Sequence, residues 1–235
     1  MLREKVNPAA HRVAVRNIRR TRAGVIVECT GKEGAERLAK AIGTTTEGAL
    51  QGREVKKGIP RVLLRKVDKE LDKEEIMRRI VENNGDLVAS RGGVEAFAGE
   101  IRERFRQGGR GHNPFVDIIY EVHPELRKAI VGKELSLGWS SAWVEDHISL
   151  LYCYRCWGLG HMARNCKDEV ESCGRCGEKG HRRINCPADE PKCSMCTRVN
   201  EGRRVKLDTR HETLHPGCEA MGQYRRGVES RIDYG

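Results

Sequence analysis

Nine of the ten cysteines in this 235-residue chain lie between residues 151 and 218, in three groups interleaved with histidine. Cys153, Cys156, His161 and Cys166 form the first group, and Cys173, Cys176, His181 and Cys186 repeat it with identical intervals. The third group opens with Cys193 and Cys196 and closes, after a longer loop, with His211 or His215 and then Cys218. Four thiolate and imidazole ligands at such spacing suit tetrahedral zinc in a closed structural site, which leaves no position for a catalytic water. A segment of this size cannot bury a core, so the metal has to supply its folding energy, about 10 kcal/mol or more. Gly160 and Gly180, each just before its histidine, are expected to turn the chain through positive φ.

A disulfide framework is the competing explanation for clustered cysteines. Histidines at repeated positions argue against it. The first residues contain no apolar secretory segment, so an intracellular, reducing location is expected. No stretch approaches the roughly 18 apolar residues of a membrane span. The 44 basic and 34 acidic residues give a formal charge of +10, which nine thiolates on three zinc ions would lower to about +7. A basic chain of this kind fits a nucleic-acid partner bound in a salt-sensitive way.

The first two groups resemble zinc knuckles, the Cys-x2-Cys-x4-His-x4-Cys modules of retroviral nucleocapsids and retroelement Gag proteins, most closely over residues 161–166, His-Met-Ala-Arg-Asn-Cys. The resemblance implies that Tyr154 and Met162 make a cleft for an unpaired base, with Arg164 on phosphate. Trp157 is a further stacking candidate, since base stacking on an aromatic tolerates any base. Tyr152 and Tyr154 could instead cover the metal site. The second knuckle departs from the pattern, with Gly174 in the aromatic position and Arg182 in the apolar one. Arg175, Lys179, Arg182 and Arg183 against Glu178 alone make it look like a phosphate clamp.

Upstream, apolar alternation predicts strands over 12–18 and 25–27, a helix carrying Ala35, Leu38, Ala39 and Ile42, and a last short strand over 53–55. Cys29 reads as a small buried residue. A fuller repetition follows: a strand over 61–67, a helix capped by Asp72 and faced by Ile76, Met77 and Ile80, and a short strand over 87–89. A glycine-marked insert over 91–111 keeps helical spacing through Val94, Phe97, Ala98, Ile101 and Phe105. The strongest strand covers 115–122, Pro124 starts a helix, and 135–139 is expected to close the sheet.

This order predicts an α+β chain: a partial RRM-like segment (1–57) and a degenerate RRM-like, ferredoxin-like domain with a helical insert (59–146). Two CCHC zinc knuckles (151–188), a variant third (191–220) and a C-terminal tail (221–235) complete it. The strand over 61–67 carries no aromatic and that over 115–122 is mostly aliphatic, so the sheet lacks the RNA-stacking signature and is read as serving protein contacts or packing. Together with residues 60–64 (Pro-Arg-Val-Leu-Leu) and 137–141 (Leu-Gly-Trp-Ser-Ser), the arrangement resembles the Gag-like first reading frame of insect non-LTR retrotransposons. That resemblance favours His211 as the third histidine ligand. It implies a non-enzymatic protein that binds single-stranded RNA or DNA through zinc, self-associates through its RRM-like region, and needs neither membrane nor small-molecule substrate. A host protein-interaction module is the alternative. His11, His112, His123 and His147 stand near no nucleophile or carboxylate at a catalytic spacing.

Overall fold

The computed structural model describes residues 2–21, 24–202 and 206–235, which form two compact units, Met1–Lys56 and Lys57–Gly235. Within the described residues, no helix is long and apolar enough to cross a membrane.

The first unit opens with a short helix, α1 (Leu2–Lys5), and a 3-10 turn at Pro8–His11, whose start is capped by the Asn7 side chain accepting from the Ala9 N–H. An antiparallel hairpin of β1 (Val15–Thr21) and β2 (Gly24–Cys29) pairs Ile18 with Val27. Helix α2 (Lys32–Thr45) then buries Leu38 and Ile42 against Val6 and Val13, and Cys29 packs at the edge of this cluster. The expected strand over 53–55 is not formed. Gly52 lies so close to the backbone of α2 that an added Cβ would stand 2.6 Å from Ala39. The chain therefore runs over the helix, and no partner for a third strand is presented.

The second unit is built on a five-stranded antiparallel sheet in the order β4-β5-β3-β7-β6. Strand β3 (Arg61–Asp68) leads to α3 (Lys73–Asn83), whose N-cap Asp72 accepts from the Glu75 N–H at 2.7 Å. Two short helices follow, α4 (Gly85–Ser90) and α5 (Val94–Glu100), then β4 (Ile101–Gly108) and β5 (Phe115–Val122). Helix α6 (Pro124–Ile130) has its proline in the first turn, and β6 (Glu134–Ser136) and β7 (Ser141–Asp146) finish the sheet as a hairpin. Leu64, Ile118, Tyr120 and Val144 meet Ile76, Ile80, Phe97 and Leu126 in one core. Burying side chains of this size is worth roughly 1.5–3 kcal/mol each.

Three expectations need correction. Residues 87–89 belong to α4, and the second strand of the domain comes instead from 101–108, inside the stretch that carries helical spacing. Ile101 and Phe105 are compatible with either period, and pairing with β5 along eight residues, interrupted by a bulge between Glu103 and Phe105, decides for the strand. The closing strand is short and turns at Gly138 (φ 86), so that β7 supplies the inward pair Ala142 and Val144. That strand was masked in the sequence by Trp143, which points outward and is 44% exposed.

The sheet face away from the core is occupied by charge pairs. Arg61 meets Glu121 at 2.8 Å and Arg65 meets Glu145 at 2.8 Å. On the same face Leu63 pairs with Ile119, both buried.

The last residues, read as a tail, form helix α8 (Glu219–Glu229) and a strap back to the start of the unit. Gly58 N–H donates to Arg231 O and Asp233 N–H to Gly58 O, each at 2.8 Å. Arg127, which pairs with Asp146, lies 4.3 Å over the ring of Tyr234. The metal-ligand segment is thus tied to the sheet domain at both of its ends.

Candidate metal centres

The two regular groups share one local design. In the first, Cys153 N–H donates to Gly158 O (2.9 Å) and Trp157 N–H to Cys153 O (2.7 Å); in the second, Cys173 N–H donates to Glu178 O (2.7 Å) and Gly177 N–H to Cys173 O (2.9 Å). These turns fold the two-residue gap so that both sulfurs face one point. The position after the second cysteine is left-handed in both, with φ 80 at Gly177 and φ 57 at Trp157. A bulky residue there is strained, and persists only where its surroundings hold it. Gly160 and Gly180 take positive φ as expected, 84 and 91.

Each group brings three thiols and one imidazole together with ligand atoms within 4.8 Å of one another. Cysteine sulfur stands 3.4, 3.3 and 3.4 Å from Nε2 of His161, His181 and His211 respectively. In the third group Cys218 Sγ is 3.7 Å from Cys193 and 3.6 Å from Cys196. A tetrahedron with Zn–S near 2.3 Å and Zn–N near 2.0–2.1 Å has edges of about 3.8 Å between sulfurs and about 3.6 Å between sulfur and nitrogen. The observed separations fit that figure within a few tenths of an ångström and are far too long for disulfides, and all ten cysteines are free. The three Cys3His groups are compatible with zinc.

The third group contains His211 and not His215. The backbone oxygen of Glu212 accepts from His211 Nδ1 at 2.9 Å, which leaves Nε2 to face the sulfurs. His215 Nδ1 instead accepts from the Gly217 N–H. This group also differs in form from the knuckles. Cys193 immediately precedes, and Cys196 lies in, the first turn of helix α7 (Ser194–Gly202), while Cys218 is the N-cap of α8. The site therefore joins two helices over a small core of Met195, Leu207 and Ala220. A hydrogen bond from Cys218, outweighing burial, holds the Cys193 thiol below its ordinary pKa, with help from the Cys196 amide, the nearby His211 and the Met195 amide.

The three groups are fused side by side. Ser172 N–H donates to Arg155 O (2.8 Å), Lys192 N–H to Arg175 O (2.7 Å) and Thr213 N–H to Gly174 O (3.0 Å). Trp157 Nε1 donates to Ser172 O at 2.8 Å. Trp157 is thereby half-buried between knuckles, whereas Tyr154 is 64% and Met162 46% exposed. Tyr154 makes edge-to-face contacts with Tyr152 (5.1 Å) and Trp157 (5.6 Å).

The reading of knuckle two as an unpaired basic clamp is corrected by its neighbours. Arg182 pairs with Glu171 (2.7 Å), Arg183 with Glu212 (2.8 Å), Lys179 with Asp168 (3.3 Å) and Arg175 with Glu212 (3.8 Å). None of these carboxylates lies within the knuckle's own ligand span. Arg164 is exposed, and among the described residues no carboxylate pairs with it. Sequence reasoning also passed over Ile184, which is 89% exposed three residues after His181, the place that Arg164 holds in knuckle one. No ligand pattern marks that position.

A protein-family model, the zinc knuckle, matches residues 151–168. No curated protein and no solved structure matches the chain.

Proposed function

We propose that this chain is a non-enzymatic, zinc-dependent binder of single-stranded RNA or DNA that packages a retroelement transcript into a ribonucleoprotein and acts as a nucleic-acid chaperone. Zinc knuckles generally bind nucleic acids. The observation that carries the reading is the first knuckle, where a closed Cys3His group holds Tyr154 and Met162 exposed and Arg164, two residues after Met162, pairs with no carboxylate among the described residues. Stacking on such an aromatic is worth roughly 1–3 kcal/mol per base. A filled set of four protein ligands favours a structural over a hydrolytic metal.

In this reading the second unit is an RRM-like, ferredoxin-like domain, a view supported by the strand order β4-β5-β3-β7 with α3 and α6 packed on one face. Its other face, closed by the Arg61–Glu121 and Arg65–Glu145 pairs, suits self-association better than base stacking. The protein would work inside the cell, where thiols stay reduced, with neither a membrane nor a small-molecule substrate.

The test is affinity for a labelled single-stranded RNA, measured on the zinc-loaded chain and again after chelation. Binding should collapse when zinc is removed. Weak binding at moderate salt, or binding indifferent to zinc, would favour the second reading, a protein-interaction module; the carboxylate partners of Arg175, Lys179, Arg182 and Arg183 are the observation on its side.

A further inference from the structure

Two cavities meet at Arg198, on helix α7. One, of about 240 Å³, is walled by Trp157 and Leu159 of the first knuckle and by Met195 and Val199 of α7. The other, of about 340 Å³, has a mixed lining: Lys179, Lys192 and Ser194 stand on its wall with Glu178 and Glu201, and Cys156 and Cys176 from the first two metal groups border it. Arg198 lines both.

The apolar cavity is smaller than the roughly 300–1,000 Å³ that holds a drug-sized ligand, and its walls are aromatic and aliphatic. A single planar base suits it. The second cavity contains an anomaly: Ser194 is 6% exposed, and its Oγ has no hydrogen-bond partner among the described residues. A buried hydroxyl left unpaired is destabilising, so a ligand that accepts from it is favoured. Lys179, Lys192 and Arg198 outnumber Glu178 and Glu201 on the same cleft and favour an anion as that acceptor. Lys179 and Arg198 are held by Asp168 at 3.3 and 3.2 Å in exposed pairs, which are worth little and are readily exchanged for phosphate oxygens. Lys192 is exposed, and among the described residues no carboxylate pairs with it.

We propose that the junction of the two knuckles with α7 is a nucleotide site, in which an unpaired base enters the cavity beside Trp157 while its phosphate is bound by Lys192, Arg198 and the Ser194 hydroxyl. The inference rests on the single-strand-binding reading and extends it: the third metal group contributes a wall of the binding site through α7, and the strand passes from Tyr154 into the array.

The test uses the full zinc-loaded chain, a labelled single-stranded RNA and three variants. Val199→Phe fills the apolar cavity and should weaken binding about tenfold with the salt slope unchanged. Lys192→Gln should lower the salt slope by about one. Ser194→Ala is decisive, because a merely unsatisfied hydroxyl predicts a more stable protein with unaltered affinity, whereas the nucleotide site predicts affinity lower by about tenfold. Parental affinity in Ser194→Ala overturns the site while leaving the binding reading intact. Failure of the parent chain to bind RNA overturns both.

Discussion

Trp157 packs directly against Gly174: a β-carbon at position 174 would stand 2.9 Å from Cζ2 of the indole. The absence of an aromatic in the second knuckle, where the first has Tyr154, is therefore a packing requirement of the first. Gly174→Ala should push the indole from its bond to Ser172 O and cost about 1–3 kcal/mol by overpacking. Denaturant unfolding of the zinc-loaded protein reads the loss, with zinc content expected to stay at the parental value.

His211→Ala should remove one zinc equivalent, and His215→Ala should remove none. Only the former places Nε2 among the three sulfurs of the third group. Metal analysis after exhaustive dialysis separates the two variants.

Tyr154→Ala should weaken single-strand binding by about tenfold while leaving the slope of affinity against salt unchanged, because a lost stacking contact removes no phosphate contact. An unaltered affinity would show that Tyr154 merely covers the metal site with Tyr152.

Glu171→Gln releases Arg182 from its pair. If the strand reaches knuckle two, the freed guanidinium should steepen the salt slope by up to about one. Arg182→Ala should do the reverse by no more than that. Anisotropy titrations at several salt concentrations decide both.

Glu100 is held below the usual carboxylate range by its hydrogen bonds from Arg91, against the opposing effect of burial. Its contribution to stability is present above the ordinary carboxylate pKa and is lost as pH falls through the depressed folded value. Glu100→Gln should therefore flatten the acid decline of the sheet domain. The comparison is made by unfolding both proteins with chelator present throughout, so that zinc release does not enter.

What the sequence determined by itself is the chemistry that depends on spacing along the chain. The eight ligands of the two regular groups follow from local intervals, as do the positive-φ glycines, the Asp72 and Pro124 helix starts and the strands around 61–67 and 115–122. Each is set by residues a few positions apart. Between His211 and His215 the decision came from tertiary structure, through the Glu212 carbonyl that orients one ring and the Gly217 amide that occupies the other. The strand 101–108 was hidden because Ile101 and Phe105 satisfy two periods, and only pairing with β5 chooses between them. Knuckle two looked like a free basic surface for the same reason: Asp168, Glu171 and Glu212 come from outside its ligand span. Charge pairs, cavity walls and the packing of Trp157 on Gly174 are made between segments, and the energy that selects them exists only once the segments have met.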